Sequence, residues 1–370
     1  EASTAGDGVC HWYILTAVGP MTQARLDRYT ALALQVDCEC VHMDSNSASS
    51  RPRMMAAIAR IDENIRGAKK WIGASLQLVV LPEYVLTGPP WGESIPEWVE
   101  KATIAPDGPE VEALARMAER HGVYLAVNAY ESDRHFPGLY FQGSFVLDPA
   151  GKRILSYRRL ISMFAPTPHD VWDRYLDIYG LDGVFPVADT PIGRLAAIAS
   201  EEILYPEVAR CHAIRGANVL LHSSSEVGAA TLTPKQIARR ARALENLAFV
   251  VSANNARLIG MEIPIDSANG GSDIIDYLGR QLIQASPGAS CTAATMLDMA
   301  GLRAYRSASG MGNLLSRQAL GLFADSYAQA DIRRQNGLWK DGKVIVPERS
   351  YFAQAQADVL ARMAERGLTS

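Results

Sequence analysis

The sequence predicts an α/β fold built on mixed sheets, and three observations carry that prediction. Apolar runs of strand length alternate along the chain with amphipathic runs of helix length. Two segments, 139–157 and 271–286, read as hairpins, which sets antiparallel pairs beside the parallel ones that helical crossovers produce. The chain is also large and apolar enough for a sizeable core: 370 residues, 48% hydrophobic and 21% charged.

The elements follow in order. HWYILTAV (11–18) reads as a buried strand and RMMAAIARIDENIRGAKKWI (53–72) as an amphipathic helix. LQLVVLPE (76–83) is a short apolar strand ending in Pro-Glu. PEVEALARMAERHG (109–122) has Pro at a helix start and Gly at its end, and VYLAVNAY (123–130) is the next strand. LYFQGSFVLDPAGKRILSY (139–157) is the first hairpin, turning at Asp-Pro-Ala-Gly. RLAAIAS (194–200), NVLLHSS (218–224) and VVSANN (250–255) are strands, separated by helices over 206–217 and 234–249. GSDIIDYLGRQLIQAS (271–286) is the second hairpin, turning at Tyr-Leu-Gly, and CTAATMLDM (291–299) the last strand. From about 300 the chain is polar and helical, without a second core. No internal repeat is visible. Two stretches fit the core poorly, 21–50 and 160–190, and are expected to be functional or oligomeric insertions.

Totals exclude several classes. A net charge of -4 gives no basic footprint for nucleic acid or an anionic membrane, and no run is long and apolar enough to cross a bilayer. EASTAGDGVC at the start lacks the basic-then-apolar order of a secretory signal. Five scattered cysteines, Cys10, Cys38, Cys40, Cys211 and Cys291, make a poor disulfide framework, so a cytoplasmic location is expected. Cys38, Cys40 and His42 lack the second ligand pair that a metal site needs, and no metal is expected.

Three positions have chemical promise. Glu83 follows a fully apolar strand, where a carboxylate faces a crevice and partial burial suits it to proton transfer; a surface acid capping the next element would look the same. Arg158-Arg159 closes the strand of KRILSYRR, where a guanidinium can aim its donors at an oxyanion or carboxylate, or lie in solvent. Ser200 stands between a strand and a turn, which exposes a nucleophile beside backbone N–H groups but equally describes an ordinary turn serine.

Their order and surroundings add more than each does alone. LVVLPEYVLTG, GKRILSYRRL and IASEEILYPE resemble the glutamate, lysine and cysteine motifs of the nitrilase superfamily of carbon-nitrogen hydrolases, and RARALENLAFVVSANN and GGSDIIDYLGRQL are similar to two further framework segments. The resemblance covers roughly 11–300. It implies an αββα sandwich over 1–300 with a C-terminal tail over 301–370, and it places Glu83 as general base, Arg159 at the lysine and Ser200 at the cysteine. Two of those three positions depart from the family. A further glutamate, in the loop between lysine and cysteine, has no counterpart in 160–190, which holds only aspartates, among them Asp170, Asp173 and Asp177. Because the departures extend beyond Ser200, they read as divergence rather than a single Cys-to-Ser exchange.

The resemblance implies acyl transfer at an amide, nitrile or carbamoyl C–N bond. A serine needs a base during attack, for which Glu83 alone is weak, with His169 and His222 as possible helpers. Arg159 retains the charge, but a bidentate pair with Glu83 would quench the base. Glu201 and Glu202 would disfavour an alkoxide, or are simply turn acids; some amidase members of the family carry an acidic pair there. The alternatives are non-covalent acid/base chemistry (hydratase, lyase or cyclase) and a silent binding protein. Asp170, His169 and Trp172 are further pocket candidates from the 160–190 insertion, although Trp172, Tyr175 and Tyr179 also fit one helix face packed on the core. A small-molecule ligand, no organic cofactor and a homodimer or larger assembly clasped by the tail complete the expectation.

Overall fold

The computed structural model describes residues 24–229, 231–288 and 290–369. The strand expected over 11–18 lies outside them. The strands of the two main sheets are β1 (Arg28–Gln35), β2 (Leu76–Val80), β3 (Tyr124–Ser132), β4 (Tyr140–Leu147), β5 (Arg153–Arg158), β6 (Ala188–Thr190), β7 (Gly193–Ala199), β8 (Val219–Ser224), β9 (Phe249–Asn254), β10 (Asp273–Ile275), β11 (Gln281–Gln284) and β12 (Cys291–Asp298). The helices are α1 (Ser47–Ile72), α2 (Ile95–Ala102), α3 (Pro109–His121), α4 (Trp172–Val184), α5 (Pro206–Ile214), α6 (Pro234–Asn246), α7 (Met299–Ser307), α8 (Gly321–Ala330) and α9 (Ser350–Glu365).

Two six-stranded sheets result, in the orders β12-β1-β2-β3-β4-β5 and β6-β7-β8-β9-β10-β11. Both read antiparallel, parallel, parallel, antiparallel, antiparallel along the list. This is a repeated topology without a repeated sequence, because strand pairing constrains the apolar pattern and not residue identity.

The strands alternate as a two-sided core demands. In β1, Ala31 and Ala33 face the second sheet with Leu78, Val80 and Ala126. Leu32 and Leu34 turn outward to Met54, Ile58 and Ile61 of α1. Helices α5 and α6 cover the other sheet through Val208, Ala209, Ala238 and Ala243. The layers are therefore helix, sheet, sheet, helix.

Two expectations need correction. The 21–50 stretch is not an insertion: RYTALALQ is a central strand, and its apolar residues run together because both faces are covered. The 160–190 stretch is not a loop insertion but holds α4, whose Tyr175 packs with Phe136, Phe141 and Leu338 in a satellite core, in keeping with the helix-face reading of its aromatics. Part of the tail packs on the domain, where Leu338 and Phe352 are buried. No helix among the described residues is long and apolar enough to cross a membrane.

Candidate active site

Glu83 is placed by the end of β2. The strand stops at Val80, and after Leu81 comes Pro82, which has no N–H to continue a ladder and turns the chain out of the sheet. Both sheets then clamp the residue. Its N–H donates to the Ser224 carbonyl at 3.3 Å and its carbonyl accepts from Asn255 Nδ2 at 2.9 Å. Its carboxylate, only 2% exposed, accepts from Gln142 Nε2 at 2.8 Å. Tyr84 follows at φ +39°, a strained turn held by Asn128 Oδ1, which accepts from its N–H at 3.0 Å.

Arg159 extends from the end of β5 and is buried. Nε donates to the Ile161 carbonyl at 2.7 Å, Nη1 to Gln142 Oε1 at 2.7 Å, and Nη2 to Glu201 Oε1. Nη1 is 3.5 Å from Glu83 Oε1. Burial works against its charge, but Glu83, Glu201 and Glu202 outweigh burial and raise its pKa. The bidentate quench of Glu83 does not form, because the Gln142 amide stands between them, donating to the carboxylate and accepting from the guanidinium. Arg158 points elsewhere, pairing with Asp133 at 2.5 Å and stacking 4.6 Å from the Tyr179 ring.

Ser200 directly follows β7 at φ +52°, a left-handed elbow that costs a non-glycine residue about 1–3 kcal/mol. Its carbonyl accepts from His222 Nε2 at 2.8 Å. That bond fixes the proton on Nε2, so Nδ1 accepts from Ser252 Oγ at 2.8 Å, which in turn accepts from Arg239 Nη1 at 3.1 Å. Burial, then the Arg239 charge, drives the His222 pKa well below its usual value. His222 is thus neutral, with its one proton committed to the backbone; it supports the elbow and is not a base for the hydroxyl.

The acidic pair divides. Glu201 faces the cavity and Arg159. Glu202 is fully buried behind it and accepts from Leu160 N (2.6 Å), Ile161 N (3.2 Å), Ala199 N (3.2 Å) and Tyr157 Oη (2.7 Å), tying the elbow to the end of β5. Burial, against Arg159 and these donors, pushes its pKa up to about 7.

Glu83, Arg159, Ser200 and Glu201 line one cavity of about 710 Å³, with apolar walls from Tyr84, Pro89, Trp91, Tyr130 and Phe164. His169, Asp170 and Trp172 do not line it. Asp170 Oδ2 accepts from Thr167 N at 2.9 Å and Oδ1 from Tyr351 Oη at 3.1 Å, while the His169 carbonyl accepts from Asn336 N at 3.1 Å. These residues anchor the tail to the start of α4, and only the first part of the 160–190 stretch (Ser162, Phe164, Ala165) borders the cavity.

Among the cavity residues that escape the sequence reading are Gln142, Lys235 and Arg349. Gln142 is detectable in principle as a polar residue in an otherwise apolar strand, two positions from Ser144. Lys235 resembles any helix-start lysine, and Arg349 arrives from the tail, so neither has a local signal. Cys38 and Cys40 are buried and do not line this cavity, and His42 Nδ1 lies 3.0 Å from Glu93. Among the described residues no group of three or more His, Cys, Asp or Glu is arranged to hold a metal ion.

Two helix-covered sheets that bring Glu83, Arg159 and Ser200 from their strand ends into one crevice define a nitrilase-type fold. Saccharomyces cerevisiae Nit3, a member of branch 10 of the nitrilase superfamily, superposes with a TM-score of 0.60 at 19% identity, covering 79% of this chain and 98% of that one. A cysteine-to-alanine mutant of the amidase from Nesterenkonia sp. AN1, solved in complex with butyramide, gives a TM-score of 0.58 at 17% identity over 80% and 96%. The formamidase of Bacillus thuringiensis (strain Al Hakam) is 30% identical over 213 residues, 55% of this chain and 59% of that protein. The carbon-nitrogen hydrolase family model matches residues 18–307, and the chain belongs to that family.

Proposed function

We propose that this protein hydrolyses a small carboxamide through an ester on Ser200. The observation that carries the reading is the strained elbow: Ser200 is held at φ +52° at the wall of the cavity that also presents Glu83. In the reaction, Oγ bonds to the carbonyl carbon while its proton passes to the Glu83 carboxylate. Collapse breaks the C–N bond, and Glu83 returns the proton to the departing nitrogen. Water, deprotonated by Glu83, then cleaves the ester and restores the hydroxyl. Arg159 acts here as a positioning residue that, through Gln142, keeps the Glu83 carboxylate aimed. The formamidase relative and the butyramide-bound amidase support a small amide as substrate.

A second reading, non-covalent acid/base chemistry, is favoured by one fact: each nitrogen of Arg159 already serves a protein acceptor. Turnover of an amide, nitrile, carbamoyl and ester panel separates the two. The ester mechanism requires an acyl adduct on Ser200 by intact mass and loss of at least ~10³ in rate in Ser200→Ala. Activity that survives Ser200→Ala but fails in Glu83→Gln selects the second reading. We also propose a homodimer or larger, clasped by α8.

A further inference from the structure

Lys235 is the cationic group placed at the nucleophile itself. Its Nζ is 3.4 Å from Ser200 Oγ, 3.5 Å from Ser224 Oγ and 3.4 Å from the Ser225 carbonyl. Three acceptors match the three N–H bonds of an ammonium. Among the described residues no carboxylate lies within 4.0 Å of it, so its charge is not consumed by an ion pair. Its location also breaks a local rule. Lys235 occupies the first turn of α6, where the helix dipole disfavours a cation, and that turn has no acid to offset it. The turn is nonetheless fixed: Thr233 Oγ1 accepts from Gln236 N at 3.1 Å and donates to Glu226 Oε2 at 3.0 Å. A cation held against the dipole, half-buried and aimed at a hydroxyl, gives the helix nothing; it fits a site that stabilises negative charge.

We propose that Lys235 is a catalytic residue, supplying to Ser200 Oγ and the tetrahedral oxyanion the positive charge that Arg159 has committed to Gln142 and Glu201. The inference rests on the ester reading above. Lys235 stays protonated throughout: the serine proton goes to Glu83, the Oγ–C bond forms, and the ammonium donates to oxygen as charge builds there. Contacts of 3.4–3.5 Å suit this role, because they are long in the ground state and free to shorten in the transition state.

The test compares native protein, Lys235→Met, Lys235→Arg and Ser200→Ala, with butyramide hydrolysis and the pH-dependent rate of Ser200 modification by diisopropyl fluorophosphate as readouts. In that modification Oγ bonds to phosphorus and fluoride leaves with the proton as HF. Lys235→Met is expected to lower both rates by ~10²–10³, the usual loss for one oxyanion donor, and Lys235→Arg to recover part of each. Turnover lost in Ser200→Ala but kept within threefold in Lys235→Met overturns this inference alone. Turnover surviving Ser200→Ala, or a native protein that neither turns over butyramide nor labels, overturns the ester reading and this inference with it. Should Lys235→Met fail to fold, Lys235→Gln, which keeps polar contacts without the charge, carries the same comparison.

Discussion

At the scale of single residues, the adjacent acids Glu201 and Glu202 show how burial divides one motif into two tasks. Glu201 balances Arg159 at the cavity, whereas Glu202 is fully buried and titrates near 7 instead of the ordinary 4.5. The native state therefore holds the Glu202 proton over a window, from about pH 4.5 to 7, in which the unfolded chain has released it. More protons bound in the native state means that stability falls as pH rises through that window, then levels off above it. A shift of this size is worth on the order of 3 kcal/mol. Glu202→Gln removes the ionisation while keeping an acceptor for Leu160 and Ile161. Denaturant midpoints of the two proteins from pH 4.5 to 7.5 should show the native advantage shrinking as pH rises. A constant difference across that range would mean that Glu202 is ionised throughout, held so by its four donors.

At the scale of elements, legibility tracked how local the determinants are. Strands β2, β7, β8 and β9, both hairpins and helices α3, α5 and α6 carry their own apolar period and punctuation, and their positions were readable to within a few residues. Glu83, Arg159 and Ser200 each follow a strand end, and it is the resemblance of their three motifs, taken in order, that joined them into one expected site. β1 was not, since a strand buried on both faces shows no alternation and RYTALALQ competed with the stronger apolar run at 11–18. Lys235 and Arg349 were invisible for a different reason: their roles exist only once α6 and the tail are docked. Helix α8 poses the complementary case, with no buried residue and with Leu322, Phe323 and Tyr327 at 76%, 50% and 59% exposure. That face suits a second copy of the chain. Leu322→Ser with Phe323→Ser should shift the mass measured by light scattering from an oligomer towards a monomer while leaving the thermal midpoint of the monomeric unit little changed. A native protein already monomeric at micromolar concentration would remove the clasp proposal.

Across the whole molecule, the two sheets share one strand pattern but contribute unequally to the site. The first sheet supplies Glu83 and Arg159, the second Ser200, and α6 packed on the second sheet supplies Lys235. The tail closes the remaining side. Arg349 donates from Nε to the Glu93 carbonyl at 2.7 Å and from Nη1 to Tyr140 Oη at 3.0 Å and the Phe164 carbonyl at 2.5 Å, so one side chain ties the tail to two loops and a strand at the cavity rim. Its Nη2 is buried without a protein partner. A guanidinium with a spare donor in the wall of an apolar cavity fits a substrate acceptor remote from the reacting carbon, and binding of that kind is equal in ground and transition states. Losing it raises KM and leaves kcat alone. If the proposed amide hydrolysis holds, Arg349→Ala is therefore expected to raise KM for the amide about tenfold, the equivalent of ~1.4 kcal/mol, with kcat within twofold of native. The lost bonds should lower stability by about 1–3 kcal/mol as well. A lowered thermal midpoint with unchanged KM would reduce Arg349 to a strap, whereas a fall in kcat would show that the tail, through the rim it holds, also sets the geometry around Ser200.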